Sequence, residues 1–479
     1  MHKLIRLHSY NHHKHEIDMC SGNLFKKIVV FCLPLMLMGI MQLLYNAADL
    51  IIVSNFSSDK EALGAVGSTT TLINLCVNLF MGLSVGTNVL VAKIYGSKKY
   101  DSLSDVVHTS LLTSLIIGLV LGFAGIMLAD KLLNLMSNDL TLSRVYLQIY
   151  FFGMPFNLIY NFASAILRAV GDTKRPLYYL LISGAVNVGL NLFFCIVLDM
   201  SVAGVAIATV ISQILCCVLI LNALHREKEP YRFRFKELKI NPKILFEIFK
   251  IGIPAGISST IFSLSNTIIQ SSVNKFGYIA MNGNSAAISI EGFVYTSMNS
   301  VYHAALAFAS QNYGAKNTKN IKKVTIYSLI FVTMVALTFG LTLFLLGRTV
   351  IRIYTQDPES IEVAYIRLHY LCLPYFLCGI MDVMVGILRG IGYSILPMLV
   401  SIIGVCGFRI AWIYAVFYNI TDFVKLTDLN YLYMSYPISW TITFLIQLIS
   451  YFITSRKVYP RLEKEKEMEL QNQISIINE

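Results

Sequence analysis

The sequence predicts an all-α polytopic membrane protein of about twelve transmembrane helices in two parallel six-helix lobes. Three observations predict it. The 479 residues are 56% hydrophobic and only 14% charged, with a mean hydropathy of +0.64, which leaves too little polar material to cover a soluble globule of this size. Lysine and arginine collect in alternate connections between long apolar runs. The two halves of the chain resemble each other at an offset of about 220 residues, the signature of an internal duplication.

Taking about 20 apolar residues per crossing, helices are expected over 28–53, 62–91, 106–129, 145–167, 177–198 and 202–224 in the first half. In the second half they are expected over 245–272, 283–308, 325–347, 363–388, 396–418 and 430–454. The chain then divides into an N-terminal tail (1–27), an N-lobe (28–224), a linker (225–244), a C-lobe (245–454) and a C-terminal tail (455–479). The loop charges support the count. Lys93, Lys98 and Lys99 follow the second helix, Arg168, Lys174 and Arg175 the fourth, and Arg226 through Lys243 the sixth. Lys316, Lys319, Lys322 and Lys323 follow the eighth, Arg389 the tenth, and Arg456 to Lys466 the twelfth. This alternation places both termini in the cytoplasm of a multi-pass protein in the plasma membrane, a bacterial inner or cell membrane. The basic linker reads either as a simple connection or as an interfacial segment for anionic lipid.

The net charge of +11 is spread over short loops and termini, so no nucleic-acid partner is expected. The partners expected are a small molecule, a coupling ion and the bilayer, with the protein acting as a monomer. Nine cysteines fall mostly inside apolar runs without a C-x-x-C pair, so they read as small buried hydrophobes. His2, His8, His12, His13, His15 and Cys20 form either a metal-binding tail or a solvated terminus. His15 and Glu16 begin an H-E-x-x-H pattern that Met19 ends, and no G-x-x-x-x-G-K-[ST] loop is present. No enzyme activity, ATP-driven pump or cofactor is indicated.

The duplication pairs Pro34 with Pro254 and Pro155 with Pro374, Tyr95-Gly96-x-Lys98 with Tyr313-Gly314-x-Lys316, and Leu167-Arg168-x-x-Gly171 with Leu388-Arg389-x-x-Gly392. An even helix number per half keeps the repeats parallel, with a cleft between lobes that can rock. Pro34 and Pro254 are candidate bending points in the first helix of each half. A carboxylate in hydrocarbon is costly and marks a functional position, which singles out Asp49. Ser183, Asn187 and Asn191 recur every four residues on one helix face, either as interhelical glue or as a site with Asp49. In the second half Glu291, His303, Asp382 and Arg409 are candidate coupling or substrate residues, or a buried ion pair in which Arg409 neutralises Asp382 or Glu291. His303 can carry a proton near its ordinary pKa of ~6.5, or simply be a bonded core residue. Phe151, Phe152, Tyr160, Phe293, Tyr295 and Tyr302 can stack on a cation or pack helices.

Taken together and in order, these features resemble the multidrug and toxic compound extrusion family, the MATE transporters, across nearly the whole chain. The duplicated plan, the Asp49 helix followed by Ala62 to Gly67, and the two paired turns carry the resemblance. It implies two V-shaped lobes and secondary active efflux of organic cations or other amphipathic compounds by antiport with H⁺ or Na⁺. It further implies that Asp49 is the cation-responsive carboxylate. Asn187 and Asn191 align with a pair usually written Asn then Asp, and Thr209 with a hydroxyl beside them. Two departures stand out: Lys93 where glutamine is usual, as kept at Gln311, and Asn191 in place of the acid. One carboxylate among neutral oxygens can hold Na⁺, while a lone desolvated carboxylate suits H⁺. Asp382 lies on a helix where some members carry a coupling acid. The rival reading is a lipid-linked oligosaccharide flippase of related architecture. That rival needs a basic cleft, whereas the intramembrane charges read as mainly acidic apart from Arg409, which favours a cationic substrate.

Overall fold

The N-terminal half builds α1 (Leu24–Phe56), α2 (Ala62–Gly96), α3 (Leu103–Asn134), the pair α4 (Leu140–Phe152) and α5 (Met154–Ala169), then α6 (Lys174–Leu192) and α7 (Ser201–Arg226). The C-terminal half repeats this with α8 (Pro242–Asn274), α9 (Tyr278–Gly314), α10 (Thr318–Ile351), the pair α11 (Pro358–Cys372) and α12 (Tyr375–Gly390), and α13 (Ile395–Ser401). Short helices α14 (Phe408–Trp412), α15 (Tyr418–Ile420) and α16 (Leu429–Tyr433) lead to α17 (Ser435–Asn478). The structure is a computed structural model that describes residues 16–56, 62–134, 140–227 and 230–478. No strand occurs among the described residues. The expected histidine tail, His2 to His15, lies outside them.

Nine helices among the described residues are long and apolar enough to cross a membrane, and the two bent pairs bring the number to eleven. The twelfth place belongs to α9, which is 37 residues long but carries Asn284, Glu291 and Gln311. Its polarity fits its position. Asn284, Glu291 and Gln311 are all buried, and polar side chains are tolerated at membrane depth where they face protein or a cavity.

The fourth and tenth crossings, expected as single helices, are each broken in two. α4 and α5 meet at 46°, and α11 and α12 at 51°. Pro155 sits in the first turn of α5, and Pro374 caps α12. A proline supplies no amide hydrogen to the preceding turn, so the matched prolines break matched helices. By contrast, α1 runs through Pro34 and α8 through Pro254 without a break.

The first helix of each half divides its packing between lobes. The first half of α1 joins the core of the C-terminal half: Phe31 meets Phe308 edge-on at 5.6 Å, and the Cys32 thiol points at the Ser300 carbonyl, 3.6 Å away. Its far end, at Ile52 and Val53, joins the N-terminal core with Leu147 and Val205. α8 mirrors this, lying along α2 through its first half and returning to its own half at Ile269 and Val273.

The lobes touch backbone to backbone where α2 and α9 end. A Cβ on Gly96 would lie 2.0 Å from the Gln311 carbonyl oxygen, and one on Gly314 would lie 1.9 Å from the Lys93 carbonyl oxygen. Only glycine admits this backbone approach. The turns that follow match as well, with Lys98 at φ 56° and Lys316 at φ 53°. Lys93, the departure from the usual glutamine, spans the joint from its own side, its ammonium 5.3 Å from the Tyr313 ring centre. Gly96→Val is expected to force this joint apart and stop turnover. Spin labels at Lys98 and Lys316 should then report a longer mean distance than in the parent, and an unchanged distance with normal transport would remove the joint from the mechanism.

Candidate functional site

Asp49 stands on the part of α1 that packs against α6. Its Oδ1 accepts from Asn191 Nδ2 at 2.5 Å. Asn191 Nδ2 also reaches Asn187 Oδ1 at 3.3 Å, and Asn187 Nδ2 reaches Thr209 Oγ1 at 3.5 Å. The four residues expected to cluster do so. Asn191 Oδ1 is buried without a hydrogen-bond partner among the described residues. A carboxylate with two amide oxygens and a hydroxyl can take a proton on the acid or hold a small hard cation on oxygen ligands. Ser183, one turn back on the same face, bonds its own helix at the Leu180 carbonyl, 3.1 Å away.

A separate cleft of about 660 Å³ lies between the halves. Glu291, His303, Asp382 and Arg409 all line it; Asp49 does not. The expected pairing of Arg409 with an acid is not what forms. Glu291 is held by Arg367, with Nε to Oε1 and Nη2 to Oε2 both 2.8 Å. Arg367 Nη1 also donates to Asn284 Oδ1 at 2.9 Å, which accepts from the Tyr433 hydroxyl at 2.9 Å. This bidentate geometry is the strong form of a carboxylate–guanidinium contact. Arg409 instead donates from Nε to Ser439 Oγ at 3.0 Å and lies over the Tyr436 ring, 4.0 Å from its centre. Asp382 has no ion-pair partner among the described residues.

Sequence reasoning missed Arg367, although a lone arginine inside the apolar run from Val363 to Leu373 was the signal for it. It also assigned Arg168 and Arg389 to basic loops. Both are in the last turn of their helices and line the cleft. The helix continues to them because the turn comes later: Gly171 and Gly392 adopt φ 98° and 92°. There Asp172 N bonds the Leu167 carbonyl and Tyr393 N the Leu388 carbonyl, each at 2.9 Å, the helix-ending pattern that favours glycine. Arg389 donates to the Tyr302 hydroxyl at 2.9 Å and to Ser258 Oγ at 3.2 Å. The intramembrane charge is therefore not mainly acidic, which corrects the basis for expecting a cationic substrate. Of the aromatic candidates, Tyr160, Tyr295 and Tyr302 reach the cleft, whereas Phe151 is core and Phe152 is 61% exposed on the outside.

The joint at Gly96 and Gly314 is sealed by residues 16–22. Glu16 accepts from the Tyr95 hydroxyl at 2.8 Å and the Tyr231 hydroxyl at 2.6 Å, both in the first half. From the second half, Asn312 donates to the Met19 carbonyl at 2.9 Å and Asn320 to the Cys20 carbonyl at 2.7 Å. Tyr231 and Phe233 bury the linker, and the Arg234 amide donates to His108 Nε2 at 2.9 Å. The linker therefore docks on protein rather than lying free. Burial first, then the nearby Asp18 carboxylate, push the Cys20 thiol up to about 12. At pH 8 it should stay protonated and alkylate slowly while the joint is closed. Glu16→Ala is expected to speed maleimide labelling of Cys20, read by mass spectrometry; an equal rate would show that this segment does not hold the joint.

The MatE family model matches residues 34–193 and 254–415, one match in each repeat. The chain belongs to the MatE family. YoeA of Bacillus subtilis (strain 168), described as a probable multidrug resistance protein, is 25% identical over 92% of this chain and 96% of its own. MepA of Staphylococcus haemolyticus (strain JCSC1435), a multidrug export protein, is 22% identical over 78% of this chain and 82% of its own. Among solved structures, a multidrug resistance MATE family transporter in an outward-facing conformation superposes with a TM-score of 0.84. It is 21% identical and covers 93% of this chain and 98% of its own. This MatE chain is thus a multi-pass membrane transporter of small molecules, with the two-lobed fold of its family.

Proposed function

We propose that this MatE protein exports amphipathic small molecules by antiport with H⁺ or Na⁺, with Asp49 as the coupling carboxylate. The observation that carries this reading is that α1 serves both sites. Leu35, Met38 and Gln42 of α1 line the cleft, while Asp49, about two turns further on, is hydrogen-bonded to Asn191. A change of charge at Asp49 alters the hold of α6 on α1, and α1 in turn shapes the cleft. Proton or Na⁺ and substrate then favour different lobe arrangements, which is the condition for coupling. Bending at Pro34, with its counterpart Pro254, is the local motion this requires.

The rocking bodies are the two repeats, 28–224 and 245–454, joined by 225–244, with both termini and the glycine joint on the cytoplasmic side of a bacterial cell membrane. The multidrug names of YoeA and MepA support the substrate breadth. A second reading, a flippase for anionic lipid-linked substrates, is favoured by the arginines of the cleft. The test is dye movement in proteoliposomes under an imposed proton or Na⁺ gradient. Movement under one gradient names the ion; no movement under either, with transfer of a fluorescent anionic lipid instead, would replace antiport with the flippase reading.

A further inference from the structure

We propose that the cleft is built to bind an anionic group, so that the transported class is amphipathic molecules bearing a carboxylate, sulfonate or phosphate. This rests on the export reading above for its use, but the claim itself concerns binding.

Four arginines line the cleft, Arg168, Arg367, Arg389 and Arg409, against two carboxylates, Glu291 and Asp382. Arg367 and Glu291 cancel, since each guanidinium nitrogen of Arg367 is already bonded to Glu291 or Asn284. Three guanidinium groups then face one carboxylate. Each of the three keeps an unused donor: Arg168 Nε, Arg389 Nε and Arg409 Nη2 are buried without a hydrogen-bond partner among the described residues. Arg389 and Arg409 are themselves only 6% and 2% exposed. Buried donors left unpaired are costly, and unpaired cations more so. Helix C-terminal carbonyls offset part of this for Arg168 and Arg389, but the dipole supplies roughly half a charge and fades within a turn.

Arg168 and Arg389 occupy matched positions of the two repeats, each in the last turn of its helix, and both line the cleft. Each half thus contributes one of the pair. Around them Tyr160, Phe262 and Tyr295 supply flat apolar surface. The charge lining the cleft, four arginines against two carboxylates, is net positive and disfavours an organic cation relative to an anion. An anion with an aromatic or aliphatic body meets two or more fork-shaped donors, which suit carboxylate and phosphate oxygens. The anionic head can belong to a free solute or to a lipid.

The test is equilibrium binding to the full chain in phosphatidylcholine nanodiscs, with carboxyfluorescein as anion and ethidium as cation. Carboxyfluorescein should bind, and Arg168→Gln and Arg389→Gln should each weaken it roughly tenfold. Ethidium affinity should stay or rise in the same variants. Arg168→Lys, which keeps the charge, should restore most anion binding, a result that a purely structural arginine would not produce. Displacement of the dye by dioctanoyl-phosphatidylglycerol would assign the head to lipid; displacement by free carboxyfluorescein derivatives alone would assign it to solutes. Tighter binding of ethidium than carboxyfluorescein by the parent, with anion affinity unmoved by either glutamine, would overturn the proposal. Failure of antiport is read separately, since gradient-driven movement can vanish while dye binding stays.

Discussion

Asp49→Asn is expected to abolish gradient-driven transport while leaving the protein folded and its cleft able to bind. The amide has the shape of the acid and still offers an oxygen to Asn191 Nδ2, so the contact at 2.5 Å survives without the charge. What is lost is the ability to exist in two charge states. Moving a two-state equilibrium from almost all one form to almost all the other takes about 5.5 kcal/mol of differential binding, and the carboxylate is the group placed to supply it. Transport driven by either ion should fall to the leak of empty vesicles, a loss of more than about tenfold if coupling requires the full switch. Because Asp49 lies outside the cleft lining, every direct cleft contact is kept, and by linkage the variant should bind dye with the affinity the parent shows when Asp49 is protonated. Full ion-driven movement by the variant would move the coupling site elsewhere, and Asp382 would be the next residue to test.

The second large effect falls on stability. Arg367→Gln or Glu291→Gln breaks a bidentate pair whose side chains are only 5% and 7% exposed, and leaves one charge buried without its counterion. Such a break costs about 3 to 5 kcal/mol, and in the Arg367 variant Asn284 Oδ1 also loses one of its two donors, keeping the Tyr433 hydroxyl. Thermal unfolding of the purified protein in detergent should show both single variants clearly below the parent. Replacing both residues by leucine should recover much of the loss, since a buried pair is often no more stable than a well-packed apolar pair. A Glu291→Gln protein as stable as the parent but defective in transport would instead give Glu291 a coupling role.

The fold was largely legible from the amino acids alone. Helix positions follow from apolar run length, a one-dimensional property. The repeat was legible because matched residues sit where the backbone has little choice: glycines at positive φ, prolines without an amide hydrogen, and small residues where α2 and α9 touch. The parts of the first polar site were legible too, because Asn187 and Asn191 share a face by helical periodicity and Asp49 is conspicuous in hydrocarbon, but the residues alone left interhelical glue and a site with Asp49 both open. The breaks at Pro155 and Pro374 were half-legible. The prolines were visible, but whether a proline bends a helix depends on what packs around it, and Pro34 and Pro254 lie in unbroken helices.

The charge of the cleft was not legible. Arg168 and Arg389 read as loop cations because hydropathy sees only neighbours along the chain, whereas their helices run on to the turns at Gly171 and Gly392. Which acid meets which arginine depends on how α9, α11 and the segment through α14 lie against each other, with Glu291 and Arg367 separated by 76 residues. By itself the sequence determined the class, the duplicated helical plan and the family resemblance, since each is set by local composition or by spacing along the chain, whereas the meeting of Asp49 with Asn191 joins helices 142 residues apart. Only the tertiary structure decided that Arg367 rather than Arg409 holds Glu291, that three arginines remain to face the cleft, and that residues 16–22 seal the joint. Those outcomes depend on side chains from distant helices meeting in space, and the energy of a buried charge is set by its neighbours there.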